Sequence, residues 1–138
     1  MTLDEVIAKI REFLRDYPEL NELLEARENS DELLKLSVEY ILNDFNQQPP
    51  ISNHTVEDFP SIPHLVLGAS AYALQSAMVW YSRNRINISD GGISLMYKDK
   101  AGEYANIVGG FMEQYMRWKM LYKKGKNLED FYGVAWDR

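Results

Sequence analysis

The sequence predicts a mainly α protein: a helical bundle of about five helices with a small β-hairpin inserted between the last two long helices. Three observations carry that prediction. Apolar residues recur every three or four positions through most of the chain, the period of a helix with one buried face. From Ser61 to Ser82 there is no formally charged residue, the composition of a helix enclosed on nearly all sides. Between Ile86 and Leu95 the period changes to two: Ile-Asn-Ile-Ser and Ile-Ser-Leu flank Asp90-Gly91-Gly92, and glycine accepts the positive φ that a tight reversal needs. A two-stranded ribbon is marginal by itself in water, so Ile86, Ile88, Ile93 and Leu95 are expected to pack on flanking helices or form a subunit interface. The expected organisation is a bundle over residues 1–126, with its hairpin near 86–97, and a C-terminal docking tail over 127–138.

The first helix starts at a Thr2-x-x-Glu5 capping box and continues through Leu3, Val6, Ile7, Ile10, Phe13 and Leu14. Pro18 disfavours helix in the residue before it and suits the start of a second short helix, Pro18 to about Arg27, with Leu20, Leu23 and Leu24 inward. Asn29-Ser30-Asp31-Glu32 then supplies a side-chain cap and acids for the next first turn. The helix that follows turns Leu34, Val38, Ile41, Leu42 and Phe45 to a core, and Lys35, Glu39 and Asn43 to solvent.

Pro49, Pro50, Pro60 and Pro63 break any regular element between Gln47 and Pro63. Ile51, Val56, Phe59 and Ile62 are too apolar for a free linker, so this connection should lie along the bundle. His54 and His64, at its ends, lack Glu or Cys at ligand spacing and fit surface or capping roles, not a metal site. In the uncharged stretch, Gly68, Ala69, Ala73 and Ala77 allow close helix packing, while Leu67, Leu74, Met78 and Tyr81 fill the opposite face. Its length would permit a membrane span, but Ser70, Gln75, Ser76 and an early proline favour a buried central helix.

A last long helix is expected from about Ala101–Tyr104. Tyr104, Val108, Phe111, Tyr115, Trp118 and Tyr122 form a heptad-like stripe, the pattern of a core or interface. Lys119, Lys123 and Lys124 suit its final turns, and Gly125 suits the C′ position. The tail beyond is rich in aromatics, so Phe131, Tyr132 and Trp136 should dock on the domain or on a partner.

The 138 residues are 46% hydrophobic, enough for one domain with a core of its own. The absence of cysteine excludes disulfides, thiolate metal sites and a cysteine nucleophile, and fits a reducing cytosol. The first residues lack the pattern of a signal peptide, so secretion is not expected. Net charge is −6, with 14 acids and 5 bases in residues 1–61 against 7 acids and 10 bases in residues 62–138. An acidic chain repels nucleic acid, which disfavours sequence-specific DNA binding, and the uneven halves reflect either solvated helix faces that happen to differ or contact between the acidic part of one subunit and the basic part of the next. The sequence lacks a phosphate-binding glycine loop, H-E-x-x-H, G-x-S-x-G and E-x-x-H. No enzyme activity and no cofactor are expected. Carboxylates from separate helices meeting in a pocket would make a small helical enzyme an alternative, and a cytosolic helical protein–protein interaction module is another.

In layout the chain resembles the head-completion proteins of tailed bacteriophages, also called head-to-tail connector or neck adaptor proteins. The likeness lies in a long helix ending at Ser82-Arg83-Asn84-Arg85, a strand-turn-strand containing Gly91-Gly92-Ile93-Ser94-Leu95, a further helix, and a basic Lys-Lys-Gly-Lys-Asn segment leading to a Tyr132-Gly133 tail. The long proline-containing connection is less usual for that family. The resemblance implies a virion structural protein, made in the bacterial cytoplasm and located at the head–tail junction. It implies a homo-oligomeric ring, typically dodecameric, that contacts the portal protein and tail or neck proteins. DNA would pass transiently, without sequence recognition, and no membrane would be involved. Phe131, Tyr132 and Trp136 would then serve portal docking.

Overall fold

The computed structural model describes residues 1–21, 26–84 and 91–136, with side chains described over 1–21, 26–83 and 102–131. Among these residues the protein has four helices and no strand: α1 (Leu3–Leu14), α2 (Asp31–Gln47), α3 (Ile62–Asn84) and α4 (Gly91–Trp136). The expected capping box starts α1, with the Thr2 side chain accepting from Glu5 N and the Glu5 side chain accepting from Thr2 N. Arg15 ends α1 in the left-handed region at φ 56°. Ser30 caps α2 by accepting from Leu33 N.

The core lies where α1, α2 and α4 converge on α3. Val6, Ile7 and Ile10 of α1 and Leu34, Val38, Ile41 and Phe45 of α2 meet Leu65, Val66, Ala69 and Ala73 of α3, with Tyr115 entering from α4. Gly68, Ala69, Ala73 and Ala77 are all buried. A Cβ built on Gly68 would stand 3.1 Å from Ile41 Cδ1, so the missing side chain is what lets α2 and α3 approach. The two run antiparallel, Tyr40 stacking on Tyr72 at 4.5 Å. Residues Ile62–Arg83 are long and apolar enough to cross a membrane by length and composition, and half of that window is buried by its neighbours.

The 47–63 connection lies on the bundle. Val56 and Phe59 are buried, Ile62 is partly buried, and Asn46 organises the turn by donating to His54 O and accepting from His54 N and Ser52 Oγ. Ile51 departs from expectation and is 79% exposed. Both histidines serve structure. His64 stacks on Trp118 at 4.7 Å with Nδ1 2.6 Å from the hydroxyl of Ser61, just before α3, and His54 packs edge-on to Phe45.

Three expectations are corrected. Residues 18–20 form a turn, not the start of a second helix, and Leu20 is half exposed. The side chains of Asp16 and Asn21 hold the backbone there, Asp16 accepting from Glu28 N and Asn29 N and Asn21 donating to Ala26 O, a local alternative to helical bonding. Leu23 and Leu24 lie outside the described residues.

The second correction concerns the hairpin. Ile86 and Ile88 lie outside the described residues, but Ile93 and Leu95 belong to the first turns of α4, so the second strand is helix. Beyond Gly91-Gly92 the chain offers Leu95, Met96, Lys98, Lys100 and Ala101, all good helix formers. Extending an existing helix adds a hydrogen bond per residue without a new nucleus, whereas a lone hairpin has few contacts to set against its ordering entropy.

The third correction concerns the end of α4. Gly125 does not terminate it; the helix continues to Trp136, and residues 127–136 of the expected tail are its last turns. Lys126 and Glu129, three residues apart and 3.3 Å from each other, bridge the turn after Gly125.

Candidate interaction surfaces

At 46 residues α4 is twice the 23-residue length of α3, about 69 Å against about 35 Å. The two run antiparallel, Tyr81 meeting Tyr104 at one end and His64 meeting Trp118 at the other. Beyond Trp118, Tyr122 packs on Phe45 of α2 and Lys123 bonds Ser52 of the 47–63 connection, and from Lys124 to Phe131 every residue but Lys126 is exposed. The stretch of α4 from Lys124 to Phe131 therefore overhangs the bundle.

The buried face of α4 is fastened by polar contacts as well as aromatic ones. Tyr115 donates to Asp44 Oδ2 at 2.9 Å, and Lys119 Nζ lies 2.8 Å from the same oxygen. Lys123 donates to Pro50 O and Ser52 Oγ at 2.9 and 2.8 Å, with its ammonium 4.2 Å from the centroid of the Phe45 ring. Burial, and then the neighbouring Lys119, lower the Lys123 pKa. Trp118 stacks on Phe45 at 5.4 Å and contacts Phe59 and Tyr122. Of the aromatic stripe, Tyr115 is core and Trp118 and Tyr122 pack partly buried against it. Lys119 and Lys123 are buried clamps, a role that helix-end arguments do not foresee.

A second polar node joins α1 to α2. Arg11, buried, donates to Asp16 Oδ2 at 3.1 Å and to Asp31 Oδ1 at 2.6 Å. Asp16 also accepts from Glu28 N, Asn29 N, Asn29 Nδ2 and Asn21 Nδ2. Burial pushes the Asp16 carboxyl up, but those hydrogen bonds outweigh it and hold the pKa below the ordinary aspartate value. Nearby, Tyr104 donates to the Glu28 carboxylate, its two oxygens at 2.9 and 2.8 Å, tying this region to α4. These ionisable groups are engaged in structural contacts, and among the described residues no group of three or more His, Asp or Glu is placed to hold a metal.

The surface carries three apolar features. On α2 and α3, Leu36, Tyr40, Val79 and Trp80 are each about half exposed. Tyr40, Tyr72, Gln75, Ser76 and Val79 line a shallow cavity of about 360 Å³ with no charged residue in its wall. On the outer side of α4, Met116, Met120, Leu121 and Leu128 are exposed. A third feature is a groove of about 790 Å³ between α1 and α4, floored by Ile62, Pro63, Val66 and Leu67 of α3 and closed at one side by Phe13 against Phe111.

Of the residues assigned from sequence, Gly68, Ala69, Ala73 and Ala77 lie buried on α3, with Gly68 against Ile41 of α2. Phe131 is 78% exposed on the overhanging end of α4. The side chains of Tyr132, Trp136, Ile93 and Leu95 lie outside those described, as do Ile86 and Ile88 altogether. Leu36, Tyr40, Val79, Met116, Met120 and Leu121 were not singled out as interaction residues. The signal was present in their register: Leu36, Val79 and Leu121 fall opposite their helix's core stripe and Tyr40, Met116 and Met120 on its flanks, where a soluble monomer places polar groups. Comparison with protein-family models, with curated proteins and with solved structures gave no match.

Proposed function

We propose that this chain is a non-catalytic structural protein that assembles head to tail with copies of itself, and that its setting is the head–tail junction of a tailed phage. There it would form a ring beneath the portal and leave a passage for DNA. The observation that carries the reading is the presence of two separate half-exposed apolar faces on one small bundle, one on α2/α3 and one on α4. A chain with two unlike adhesive faces repeats its contacts, and the repeat closes into a ring when the rotation permits. The phage setting draws on the resemblance in layout: a long helix ending at Ser82-Arg83-Asn84-Arg85, a strand-turn-strand, a further helix, and a basic Lys-Lys-Gly-Lys-Asn segment leading to a Tyr132-Gly133 tail. The strand part of that likeness is lost, since Gly91 already belongs to α4. The overhanging end of α4, with Phe131, Tyr132 and Trp136, is the proposed docking element for the adjoining portal ring.

Light scattering coupled to size exclusion, followed by electron microscopy, tests the first part: a closed multimer of the 16.1 kDa chain is expected. A protein that stays monomeric at all concentrations and binds one soluble partner tightly would instead support the interaction-module reading. Deleting residues 127–138 should leave the bundle folded and the ring intact while abolishing binding to purified portal. Unchanged binding would remove the α4 end from the proposal.

A further inference from the structure

We infer that the contact between successive subunits pairs one row on α2 with one row on α4 of the neighbouring copy. On α2, Glu32, Leu36 and Glu39 are exposed at spacings of four and three; on α4, Arg117, Leu121 and Lys124 are exposed at the same spacings. Residues four and seven apart lie on one helix face, so each row presents a leucine flanked by two charges, acidic on α2 and basic on α4. The leucines are 50% and 65% exposed. Tyr40 widens the first row and Met120 the second, giving each an apolar patch with a charged rim, the make-up of a specific protein interface.

Matching charge selects the occupant. Acidic row against acidic row, or basic against basic, would set like charges across a partly desolvated contact, which disfavours two-fold self-pairing of either face. Acidic row against basic row satisfies both, and it has the same sense as the excess of acids in residues 1–61 and of bases in residues 62–138. Arg117 already lies 2.7 Å from Glu113, but both side chains are 69% exposed, so that pair is worth little and exchanges readily. Lys35, three residues from Glu32 and four from Glu39, sits beside the two acids, about 100° around α2 from Leu36, and leaves that face one negative charge in excess.

This inference rests on the self-assembly reading above, and the experiment separates the two. One variant carries Glu32→Lys with Glu39→Lys, the other Arg117→Glu with Lys124→Glu; all four sites are exposed, and circular dichroism with thermal melting checks that each variant folds. Light scattering should show each variant alone monomeric at a concentration tenfold above that at which the wild type assembles. Mixing the two should restore assembly, because the basic α2 row of one then faces the acidic α4 row of the other. Combining all four substitutions in one chain should restore it too. If the wild type assembles and either variant alone assembles equally well, or if the mixture stays monomeric, this pairing is overturned while self-assembly stands. If the wild type never assembles, the reading beneath it falls as well. Should a variant fail to fold, Leu36→Ser and Leu121→Ser serve instead: each must weaken assembly at least tenfold, and wild-type-like assembly of either overturns the pairing.

Discussion

Lys119 of α4 places its ammonium 2.8 Å from the Asp44 carboxylate of α2, and the two side chains differ sharply in exposure, 3% against 35%. Together with Tyr115, which donates to the same oxygen, the pair fixes the register of α4 on α2. The unequal burial makes the two truncations unequal. Asp44→Ala leaves a buried ammonium with no carboxylate and costs about 3 kcal/mol. Lys119→Met leaves a carboxylate that water reaches and that Tyr115 still bonds, and costs about 1 kcal/mol. Urea unfolding of both variants checks the order; equal losses would mean that the pair is solvated in both directions.

Asp16 gives the fold an acid-sensitive joint. Burial pushes its carboxyl up, but hydrogen bonds from Glu28 N, Asn21 Nδ2, Asn29 N and Asn29 Nδ2 outweigh that and hold its folded pKa below the ordinary value of 3.8. A depressed carboxyl pKa contributes stability that is present above the unfolded value and disappears as pH falls through the folded one. Asp31, lowered by its hydrogen bond to Arg11, acts in the same direction. The urea midpoint should therefore be flat from pH 7 to about 5 and fall steeply below about 4. Asp16→Asn should cost about 2 kcal/mol at pH 7, since an amide turns a donor toward Arg11, and its acid limb should be shallower than that of the wild type. An unchanged limb would assign the acid transition to other carboxylates.

Most of the bundle was legible in the sequence. Thr2, Glu5 and Ser30 mark helix starts through local side-chain bonding, and the stripe from Leu34 to Phe45 assigns its own buried face, because such signals need only near neighbours. Gly68, Ala69, Ala73 and Ala77 foretold close packing for the same reason. The misreadings arose where two local signals competed. Asp90-Gly91-Gly92 has hairpin chemistry, yet Gly91 and Gly92 are the first residues of a helix of 46, where continuity outweighs turn propensity. Gly125 has C′ chemistry, yet the turns beyond it continue the helix. Contacts such as Lys119 with Asp44 and Tyr104 with Glu28 join residues more than seventy positions apart, and no periodicity encodes them. The matched rows on α2 and α4 were written in the sequence all along, but they acquire meaning only once both leucines are seen to face solvent.

Gly125 offers a direct check on the continuity of α4. Inside a helix, with no neighbour within 4 Å of a built Cβ, it is replaceable: Gly125→Ala should stabilise the protein by up to about 1 kcal/mol and raise helicity slightly in circular dichroism. Were Gly125 a left-handed terminator, the same substitution would destabilise by a similar amount, so the sign of the change in melting temperature decides the matter.

Gly68 is the opposite case, although it too lies within a helix. A Cβ there would meet Ile41 Cδ1, Cγ1 and Cγ2 at 3.1 to 3.2 Å, and Ile41 is only 1% exposed, with no open space in which to move. Alanine gains about 1 kcal/mol of helix propensity, but overpacking of this kind costs about 1–3 kcal/mol, so Gly68→Ala should be net destabilising by roughly 1 kcal/mol. Ile41→Val removes Cδ1, the nearest of the three atoms, and by itself costs about 1 kcal/mol. The two losses should not add. In the double variant the freed methyl volume receives the new Cβ, so a double-mutant cycle in urea should return a favourable coupling of about 0.5–1 kcal/mol between positions 41 and 68. Strict additivity would mean that α2 and α3 separate to admit the methyl group, and that the close approach at Gly68 does not hold the two helices in place.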